Sequence, residues 1–522
     1  MGVPELPPRP LSDLQVRVLL TSVVVVAACG LLYELIVGTL SSYLLGNSAL
    51  HFSLTIGGFM SAMGLGSLLS RRIDGDPLVW FVGVELAIGA VGGAAAGLLY
   101  AAYTYTGAYH AAMAAVVLAI GVLVGLEIPL VARILDRAGR GRRDTVADVL
   151  AVDYLGALVA ALAFPLLLLP SLGVLRTSFL TGLVNLAVVA ACVGVFRREL
   201  GRRGAGVRAA LATALVAAPL AAGAIGAPWL TSRFDLKLYR APVLYSEQTP
   251  YQRIVVTQRG RGAAADTRLF LDGALQFSTV DEHRYHEALV HPAMALAARR
   301  ARVLVLGGGD GLAVREILKW PGVETVTLVD LDPAVTALAR THPAVRAANR
   351  DALADPRVAL VHADAFAWVA DGVDRYDVAV VDLPDPNHES LAKLYSRAFY
   401  ARLAERLSAG GTVGVQATSP YFAREAYWGV VATAEAAGLH PEPYHAHVPS
   451  FGEWGFFVGS THAVRPDRLE LPAALELRFL SAEQFDTARR FPSDIGRVSA
   501  PVSTLDDPTV LRAYERGWAR WQ

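Results

Sequence analysis

Cysteine and charge are both scarce in this sequence. Its 522 residues include only two cysteines, Cys29 and Cys192, and both lie within apolar stretches. A disulfide framework and a cysteine metal cage are therefore excluded. Charged residues make up 18% of the chain, and 47 basic side chains balance 47 acidic ones. This balance gives no reason to expect a nucleic acid or another polyanion as partner.

Apolar residues, in contrast, are abundant. Hydrophobic residues make up 54% of the chain, and the mean hydropathy is positive, which is not typical of a soluble globular protein. Residues 1–230 carry only 15 basic and 12 acidic side chains, so the apolar character is concentrated there. The composition predicts a lipid-embedded domain over residues 1–230 that binds the bilayer, followed by a more polar region.

Several apolar runs within residues 1–230 are long enough to cross the roughly 30 Å hydrocarbon core of a membrane. They cover residues 16–40, 48–70, 78–104, 108–132, 150–172, 177–196 and 207–230. The first run is too long, and too closely followed by others, to indicate a cleaved signal peptide. The sequence therefore predicts an α-helical transmembrane bundle of six or seven helices, that is, a multi-pass protein of the cell membrane.

Arginines mark the N-terminal segment and alternate loops between these runs. They are Arg9, Arg17, Arg71, Arg72, Arg133, Arg137, Arg140, Arg142, Arg143, Arg197, Arg198, Arg202 and Arg203. Such loops are typically cytoplasmic. The seventh run is rich in alanine and contains Pro219 and Pro228. If it spans, the rest of the chain is extracytoplasmic, whereas a run lying in the interface leaves the rest in the cytoplasm. Both topologies stay open.

From about residue 231 the pattern changes to short alternating segments. Val243–Thr257 and Thr267–Leu271 are rich in β-branched and aromatic residues and bounded by turn residues. They predict a small β domain over residues 231–295.

A different pattern begins near residue 296. A buried strand over residues 301–306 leads into the glycine turn Gly307–Gly311, a helix over residues 312–320, and a strand that ends in Asp330. An acid about 20 residues after such a turn is placed to bind ribose hydroxyls. Strands at residues 358–362 and 377–381 extend the sheet. The pattern predicts an α/β Rossmann-like doubly wound sheet over residues 296–522, with a C-terminal extension.

Carboxylates follow each of these strands. They are Asp310, Asp330, Asp364, Asp382 and Asp385. Because ligands of such sheets lie across the carboxyl ends of the strands, these acids are expected in one crevice. They would repel a pyrophosphate, so the expected ligands are cations, namely a sulfonium nucleoside and one or more small amines. Any single one of these acids could equally cap a helix.

Short motifs in one order carry a resemblance to a known family. They are Tyr251-Gln252, Leu271-Asp272-Gly273 with Gln276, Asp281-Glu282, Tyr285-His286-Glu287, His291-Pro292, the Gly307–Gly311 turn with Arg315-Glu316, Asp330-Leu331-Asp332-Pro333, Asp364-Ala365-Phe366, Tyr376-Asp377, the segment from Asp382 to Pro386, Leu394-Tyr395-Ser396 and Phe399-Tyr400. Over residues 240–460 the chain resembles the polyamine aminopropyltransferases, the spermidine synthases.

The resemblance implies a reaction and residue roles. The family transfers an aminopropyl group from decarboxylated S-adenosylmethionine to an amine such as putrescine, giving spermidine and methylthioadenosine. By resemblance, Asp382 is the general base and the remaining site residues bind substrate. Those residues are Gln252, Tyr285, His286, Asp310, Asp330, Asp364, Ala365 and Asp385. Gln252, Asp330, Asp364 and Ala365 would hold the nucleoside, and Asp385 the acceptor.

The chemistry of the residues agrees with this assignment. An alkylammonium must lose a proton before its nitrogen can attack, and a carboxylate in a desolvated pocket can accept it. The sulfonium is a good leaving group, so positioning and anionic stabilisation complete the reaction without a metal or other cofactor. Asp310 would attract the bare ammonium of the decarboxylated donor and repel the carboxylate of ordinary S-adenosylmethionine.

The acceptor side departs from the family pattern. Leu383 and Pro384 stand where the family commonly has serines, and His388 and Glu389 replace a usual glycine and proline. A phenylalanine, Phe451, stands near where the family usually presents a tyrosine. Putrescine is therefore a default acceptor, and the sequence does not identify the amine.

Two other functions remain open on the sequence alone. One is an S-adenosylmethionine-dependent methyltransferase of similar fold. The other is a membrane polyamine sensor or transporter that binds the amine without turnover. Assembly into a homo-oligomer is also left open.

Overall fold

The chain divides into two units, with the boundary between Ala241 and Pro242. The computed structural model describes residues 11–45, 48–137, 142–201, 204–262 and 265–521. Four of the loop arginines predicted to be cytoplasmic, Arg9, Arg140, Arg202 and Arg203, lie outside these residues, as do the side chains of Arg137, Arg142 and Arg143. The domain boundaries expected at residues 230 and 295 stay predictions.

The N-terminal unit is entirely helical over its described residues. Its helices are α1 (Asp13–Leu45), α2 (Ser48–Leu69), α3 (Pro77–Ala101), α4 (Tyr109–Arg137), α5 (Arg142–Ala163), α6 (Leu169–Val195), α7 (Arg197–Gly201) and α8 (Ala205–Tyr239). Asp76 starts α3, because its side chain accepts a hydrogen bond from Leu78 N and Pro77 fits the first helical position. The helical N-terminal region expected from the apolar runs is confirmed.

Six helical stretches are long and apolar enough to cross a membrane. One of them, Ala147–Val195, has 49 residues and contains the fifth and sixth apolar runs of the sequence. Gly173 interrupts it with φ 70° and ψ 171°, which is not helical. Glycine adopts this conformation without a steric penalty. The stretch is therefore two helices joined at a bend.

The bundle interior combines close backbone contacts with buried carboxyl groups. A Cβ atom on Gly125 of α4 would overlap the carbonyl of Met63 on α2, so the two backbones touch. Glu85 and Glu127 are almost fully buried. Asn185 of α6 donates to the carbonyl oxygen of Glu85 at 2.7 Å and to its Oε2 at 3.0 Å. Acidic side chains are rare in membrane helices, and those that occur usually face the bundle interior.

The C-terminal unit begins with an antiparallel sheet of four strands in sequential order. The strands are β1 (Val243–Gln248), β2 (Arg253–Arg259), β3 (Asp266–Leu271) and β4 (Ala274–Ser278). A two-residue turn, Asp272-Gly273, with φ values of 47° and 80°, joins β3 to β4. Asp-Gly is among the residue pairs that tolerate these positive angles. Helix α9 (Glu282–Leu296) follows.

A second sheet of seven strands forms the rest of this unit. Its strands are β5 (Arg302–Gly307), β6 (Thr325–Asp330), β7 (Val358–His362), β8 (Tyr376–Asp382), β9 (Leu407–Gln416), β10 (Glu442–Val448) and β11 (Gly452–Gly459). The accompanying helices are α10 (Leu312–Leu318), α11 (Pro333–Thr341), α12 (Pro343–Asn349), α13 (Ala365–Asp371), α14 (Glu389–Ala392), α15 (Arg397–Glu405), α16 (Arg424–Ala436), α17 (Ala482–Ala488) and α18 (Thr509–Trp518).

The strand order explains where a ligand can bind. It is β10-β11-β9-β8-β5-β6-β7, with β9, β8, β5, β6 and β7 parallel and β11 antiparallel to both of its neighbours, β9 and the edge strand β10. The chain moves outward from β5 to β7 and then returns to place β8 on the other side of β5. A crevice opens at the carboxyl ends of strands at such a reversal. The Rossmann-like sheet predicted from the sequence is confirmed.

Candidate active site

The glycine turn after β5 touches two of the expected carboxylates. Gly308 N donates to the backbone oxygen of Asp382 at 3.0 Å, and Gly309 N donates to Asp330 Oδ2 at 3.0 Å. A Cβ atom on Gly309 would lie 2.5 Å from the same Asp330 oxygen. Because β5 lies between β6 and β8, the turn brings Asp330 and Asp382 to one crevice.

Asp310 and His286 occupy the same crevice. Asp310 is buried, and its Oδ1 accepts a hydrogen bond from Leu312 N at 2.9 Å at the start of α10. His286 of α9 is also buried and close enough to interact electrostatically with Asp310 and Asp382. Its Nδ1 lies 2.9 Å from Glu282 Oε2. Burial opposes its charged form, but Glu282, Asp310 and Asp382 outweigh this effect and raise the pKa of His286 to about 9.

A buried ion network holds Glu282 in place behind His286. Both terminal nitrogens of Arg315 donate to the Glu282 carboxylate, at 2.9 and 2.8 Å. Arg315 Nε also donates to Glu316 Oε1 at 2.8 Å. Burial alone would raise the pKa of Glu282, but His286 and Arg315 lower it to about 2. Glu282 is therefore ionised at all ordinary pH values, and His286 is an imidazolium near neutral pH.

Asp382 ends β8 in a desolvated position. Tyr285 Oη donates to Asp382 Oδ1 at 2.7 Å. Burial raises the pKa of Asp382, whereas the charge of His286 and the Tyr285 hydrogen bond act in the opposite direction. The Tyr285 ring packs edge-on against Phe451, with ring centroids 5.7 Å apart. The partly buried carboxylate is thus oriented by the Tyr285 hydroxyl, beside a pair of packed aromatic rings.

Gln252 is linked to Asp330 indirectly, by hydrogen bonds through a second acid, Asp332. Gln252 Nε2 donates to Asp332 Oδ2 at 3.1 Å, and Thr249 Oγ1 donates to the same oxygen at 2.7 Å. Asp332 N in turn donates to Asp330 Oδ1 at 2.9 Å. Burial raises the pKa of Asp330 to about 6, even though the N–H groups of Asp332 and Gly309 favour its charged form.

Asp364 and Ala365 lie one strand further along the same edge, after β7. The Asp364 carboxylate caps α13 by accepting a hydrogen bond from Phe366 N at 2.8 Å, and it pairs with Lys393. Burial alone would raise the pKa of Asp364, but Lys393 and the capping N–H lower it below its ordinary value. Ala365 is buried.

Asp385 defines the other end of the crevice. Thr418 Oγ1 donates to its Oδ2 at 2.9 Å, while Oδ1 is buried and has no hydrogen-bond partner among the described residues. Burial raises its pKa to about 6. Tyr285 and Tyr395 each interact with both Asp382 and Asp385. The two carboxylates therefore share two tyrosine neighbours.

Sequence reasoning did not identify several residues that shape this site. Arg315, Glu282 and Asp332 stand in motifs that supported the resemblance, so their positions were visible but their contacts were not. Thr418 and Tyr514, which flank Asp385, carry no motif.

Comparison with known proteins gives consistent matches. Residues 282–467 match the spermine/spermidine synthase domain. The chain is 46% identical over 507 residues to polyamine aminopropyltransferase 2 of Ralstonia nicotianae, covering 96% of this chain and 98% of that protein. It is 44% identical to polyamine aminopropyltransferase 1 of Streptomyces coelicolor, covering 98% and 97% of the two chains. A solved spermidine synthase from Thermotoga maritima covers 48% of this chain and 85% of its own, with 23% identity and a TM-score of 0.42.

The protein is a transferase with a Rossmann-like sheet. The chain belongs to the polyamine aminopropyltransferase family, and its reaction is aminopropyl transfer.

Proposed function

We propose that the enzyme transfers the aminopropyl group of decarboxylated S-adenosylmethionine to a small amine such as putrescine, giving spermidine and methylthioadenosine. The observation that carries this proposal is the meeting of Asp310, Asp330 and Asp382 around one glycine turn, at the point where the strand order reverses. A cluster of acids, with Asp310 buried and Asp330 and Asp382 partly buried, suits a sulfonium and amines, and would repel a phosphate-bearing ligand.

The donor lies along the glycine turn in this proposal. Asp330, with Gln252 behind it, binds the ribose hydroxyls, and Asp364 with Ala365 binds the adenine. Asp310 binds the ammonium of the aminopropyl arm. Asp310 would repel the carboxylate that ordinary S-adenosylmethionine carries, so it selects the decarboxylated donor.

Asp382 acts as the general base. It takes a proton from the attacking ammonium, and the freed nitrogen lone pair forms a bond to the methylene carbon next to sulfur. The carbon–sulfur bond breaks, and its electron pair stays on sulfur, which leaves as the neutral thioether of methylthioadenosine. Tyr285 orients Asp382 for this transfer through the 2.7 Å hydrogen bond.

His286 offsets part of the negative charge of the site. As an imidazolium it favours the ionised forms of Asp310 and Asp382, whose pKa values are raised by burial. The imidazolium thereby favours the basic form of Asp382 in a partly buried site.

A donor assay with Asp382→Asn tests this function. Wild-type protein should form methylthioadenosine from the decarboxylated donor and putrescine, and none from ordinary S-adenosylmethionine. Asp382→Asn should lose roughly 10²–10⁴-fold in kcat while still binding methylthioadenosine in calorimetry. Asp374→Asn, at an exposed ion pair with Arg302, is the matched control and should keep wild-type turnover.

Two results would contradict the proposal. Product from ordinary S-adenosylmethionine would indicate a methyltransferase. Amine binding without turnover in wild type and variant alike would indicate a sensor or transporter.

We further propose that the N-terminal unit spans a membrane, with seven crossings. Large apolar side chains are exposed around the bundle, including Leu54, Leu158, Leu215 and Ile225, and lipid is the environment that stabilises such a surface. The segment between Arg208 and Arg233 contains 24 uncharged residues. At about 1.5 Å per residue this is roughly 36 Å of helix, enough for a crossing.

Contacts at the helix ends support a bundle that the chain enters at one face and leaves at the opposite face. Tyr43, at the end of α1, hydrogen-bonds to Tyr239 at the end of α8 at 3.1 Å. Gln15, at the start of α1, donates to Glu199, shortly before the start of α8, at 3.0 Å. Helix α8 therefore runs parallel to α1, and the chain leaves the bundle at the face opposite to Asp13.

The arginines suggest which face is cytoplasmic. The face that holds the start of α1 also holds Arg17, Arg71, Arg72, Arg133, Arg197 and Arg198, whereas Arg176, Arg233, Lys237 and Arg240 belong to the other ends of their helices. An excess of arginine marks the cytoplasmic face. The proposal therefore puts the N-terminal end of α1 in the cytoplasm and the chain after Tyr239 on the extracytoplasmic side.

A further inference from the structure

Helix α18 borders the amine end of the site, although it lies outside the residues that match the family domain. That match ends at residue 467, and α18 covers Thr509–Trp518. Trp518 stacks on Phe422 with ring centroids 4.8 Å apart, which fixes the helix against the segment after β9. In this position the Tyr514 hydroxyl faces the Asp385 carboxylate closely enough to interact with it.

The backbone at Thr418 is strained in a way that serves the same carboxylate. Thr418 is fully buried and has φ 63°, a left-handed conformation that β-branched residues rarely adopt. The Thr418 hydroxyl donates to Asp385 Oδ2 at 2.9 Å. Strain of this kind persists where the surrounding structure imposes it, often at a binding site. Here the Thr418 hydroxyl occupies Oδ2 of Asp385, and Oδ1 stays available.

The available oxygen calls for a cationic partner. Asp385 Oδ1 is buried and unpartnered within the described part of the chain, and a buried carboxylate oxygen without a donor is costly. A primary ammonium carries three N–H donors. It can bind Oδ1 and still donate to the Tyr514 hydroxyl, which faces the same carboxylate.

We propose that Tyr514 completes the binding site for the distal ammonium of the acceptor and, with Asp385, makes the enzyme select diamines over monoamines. This inference rests on the proposed function and deepens it. Asp382 serves the attacking nitrogen, and Asp385 with Tyr514 holds the nitrogen at the other end. A monoamine has no group for Asp385 Oδ1 and leaves that oxygen unpaired.

The substitution Tyr514→Phe tests this assignment because it removes only the hydroxyl. With putrescine as acceptor, KM should rise about tenfold, the effect expected for losing a hydrogen bond to a charged group, with kcat changed by less than about twofold. With n-butylamine, which lacks the second nitrogen, the variant and wild type should have the same kcat/KM. The KM of the sulfonium donor should also stay unchanged.

A pH profile separates this role from simple packing. The titratable groups that interact with Asp385 are Tyr285 of α9, Tyr395 and Tyr514, and the first two also interact with Asp382. Burial raises the pKa of Asp385, and Tyr514 counteracts part of that rise. In Tyr514→Phe the pKa should rise further, so the acidic limb of kcat/KM for putrescine should move to higher pH.

The control is Tyr421→Phe. Tyr421 is half exposed and packs against Trp521 just beyond α18, with ring centroids 5.4 Å apart, so this variant should leave both acceptors unaffected. Equal losses for putrescine and n-butylamine in Tyr514→Phe would overturn the proposal, as would an unchanged putrescine KM.

If wild type makes no product with any amine, the proposed function fails. Calorimetry of putrescine with the methylthioadenosine-bound protein then decides this inference, since tenfold weaker binding to Tyr514→Phe supports it and equal binding refutes it.

Discussion

His286 and Glu282 show how neighbouring charges decide what a buried residue does. An isolated buried histidine would be neutral, because burial disfavours its cation. Glu282 reverses this, since Arg315 keeps it ionised and its carboxylate contacts His286 Nδ1. The same pair contributes stability that is fully present between the ordinary glutamate pKa of about 4.3 and the ordinary histidine pKa of about 6.5. That contribution is lost as the pH rises through about 9.

Glu282→Gln should therefore change both stability and the alkaline limb of activity. Without the Glu282 charge the pKa of His286 falls, so His286 loses its proton at lower pH and the limb near pH 9 in kcat/KM moves downward. Breaking a buried ion pair costs about 3–5 kcal/mol, so the thermal midpoint near pH 6 should also fall. The loss of stability expected in wild type between about pH 6.5 and pH 9 should be smaller in the variant, in which only Asp310 and Asp382 favour the imidazolium.

Two measurements check these effects. One is methylthioadenosine formation as a function of pH, and the other is thermal unfolding of the purified protein. The exposed substitution Glu324→Gln is the matched control and should leave both curves unchanged. An alkaline limb that stays in place in Glu282→Gln would show that His286 does not depend on Glu282 for its charge.

The turn between β5 and α10 is the element on which the donor site depends. Its backbone approaches Asp330 and Asp382 so closely that only glycine fits at Gly309 without displacing a carboxylate. The turn lies at the reversal of strand order, where strands on both sides deliver acids to one place. One short element therefore sets the spacing between the proposed ribose ligand and the proposed base.

Gly309→Ala should weaken donor binding selectively. The added methyl group would lie 2.5 Å from Asp330 Oδ2 and push the carboxylate away from the ribose. Overpacking of this size costs about 1–3 kcal/mol, so the KM of the sulfonium donor should rise roughly 5- to 150-fold while the acceptor KM changes little. Steady-state kinetics with each substrate varied will measure this.

Gly459→Ala is the control for this substitution. A Cβ atom there would have its closest contact at 3.5 Å, an ordinary van der Waals distance. Donor KM in this variant should match wild type. Equal donor KM in Gly309→Ala and wild type would mean that Asp330 does not bind the ribose.

At the scale of the whole molecule, the path of α8 decides the compartment of the catalytic unit. Alkaline phosphatase fused after Ala241 should be active and green fluorescent protein at the same place dark, because α8 is proposed to be a seventh crossing. Fusions after Ile73, beside the arginines of the opposite face, should give the reverse pattern. A fluorescent, phosphatase-negative fusion after Ala241 would contradict the proposed topology.

The sequence by itself was sufficient for the features that depend on local pattern. Apolar runs identified the helical region, because a stretch long enough to cross lipid must be apolar along its length. The glycine turn followed by an acid at the end of the next strand identified the Rossmann-like sheet and its crevice. Asp310, Asp330 and Asp382 could be named in advance because parallel strands bring their carboxyl ends to one edge.

Only the tertiary structure decided the contacts between distant segments. Tyr514 lies more than a hundred residues after Asp385, and no periodicity links a C-terminal helix to a strand end. The bend at Gly173, the pairing of Tyr43 with Tyr239, and the ion network behind His286 likewise depend on which surfaces pack together. Local pattern determines which element forms, but charge, burial and access in a site depend on every element that surrounds it.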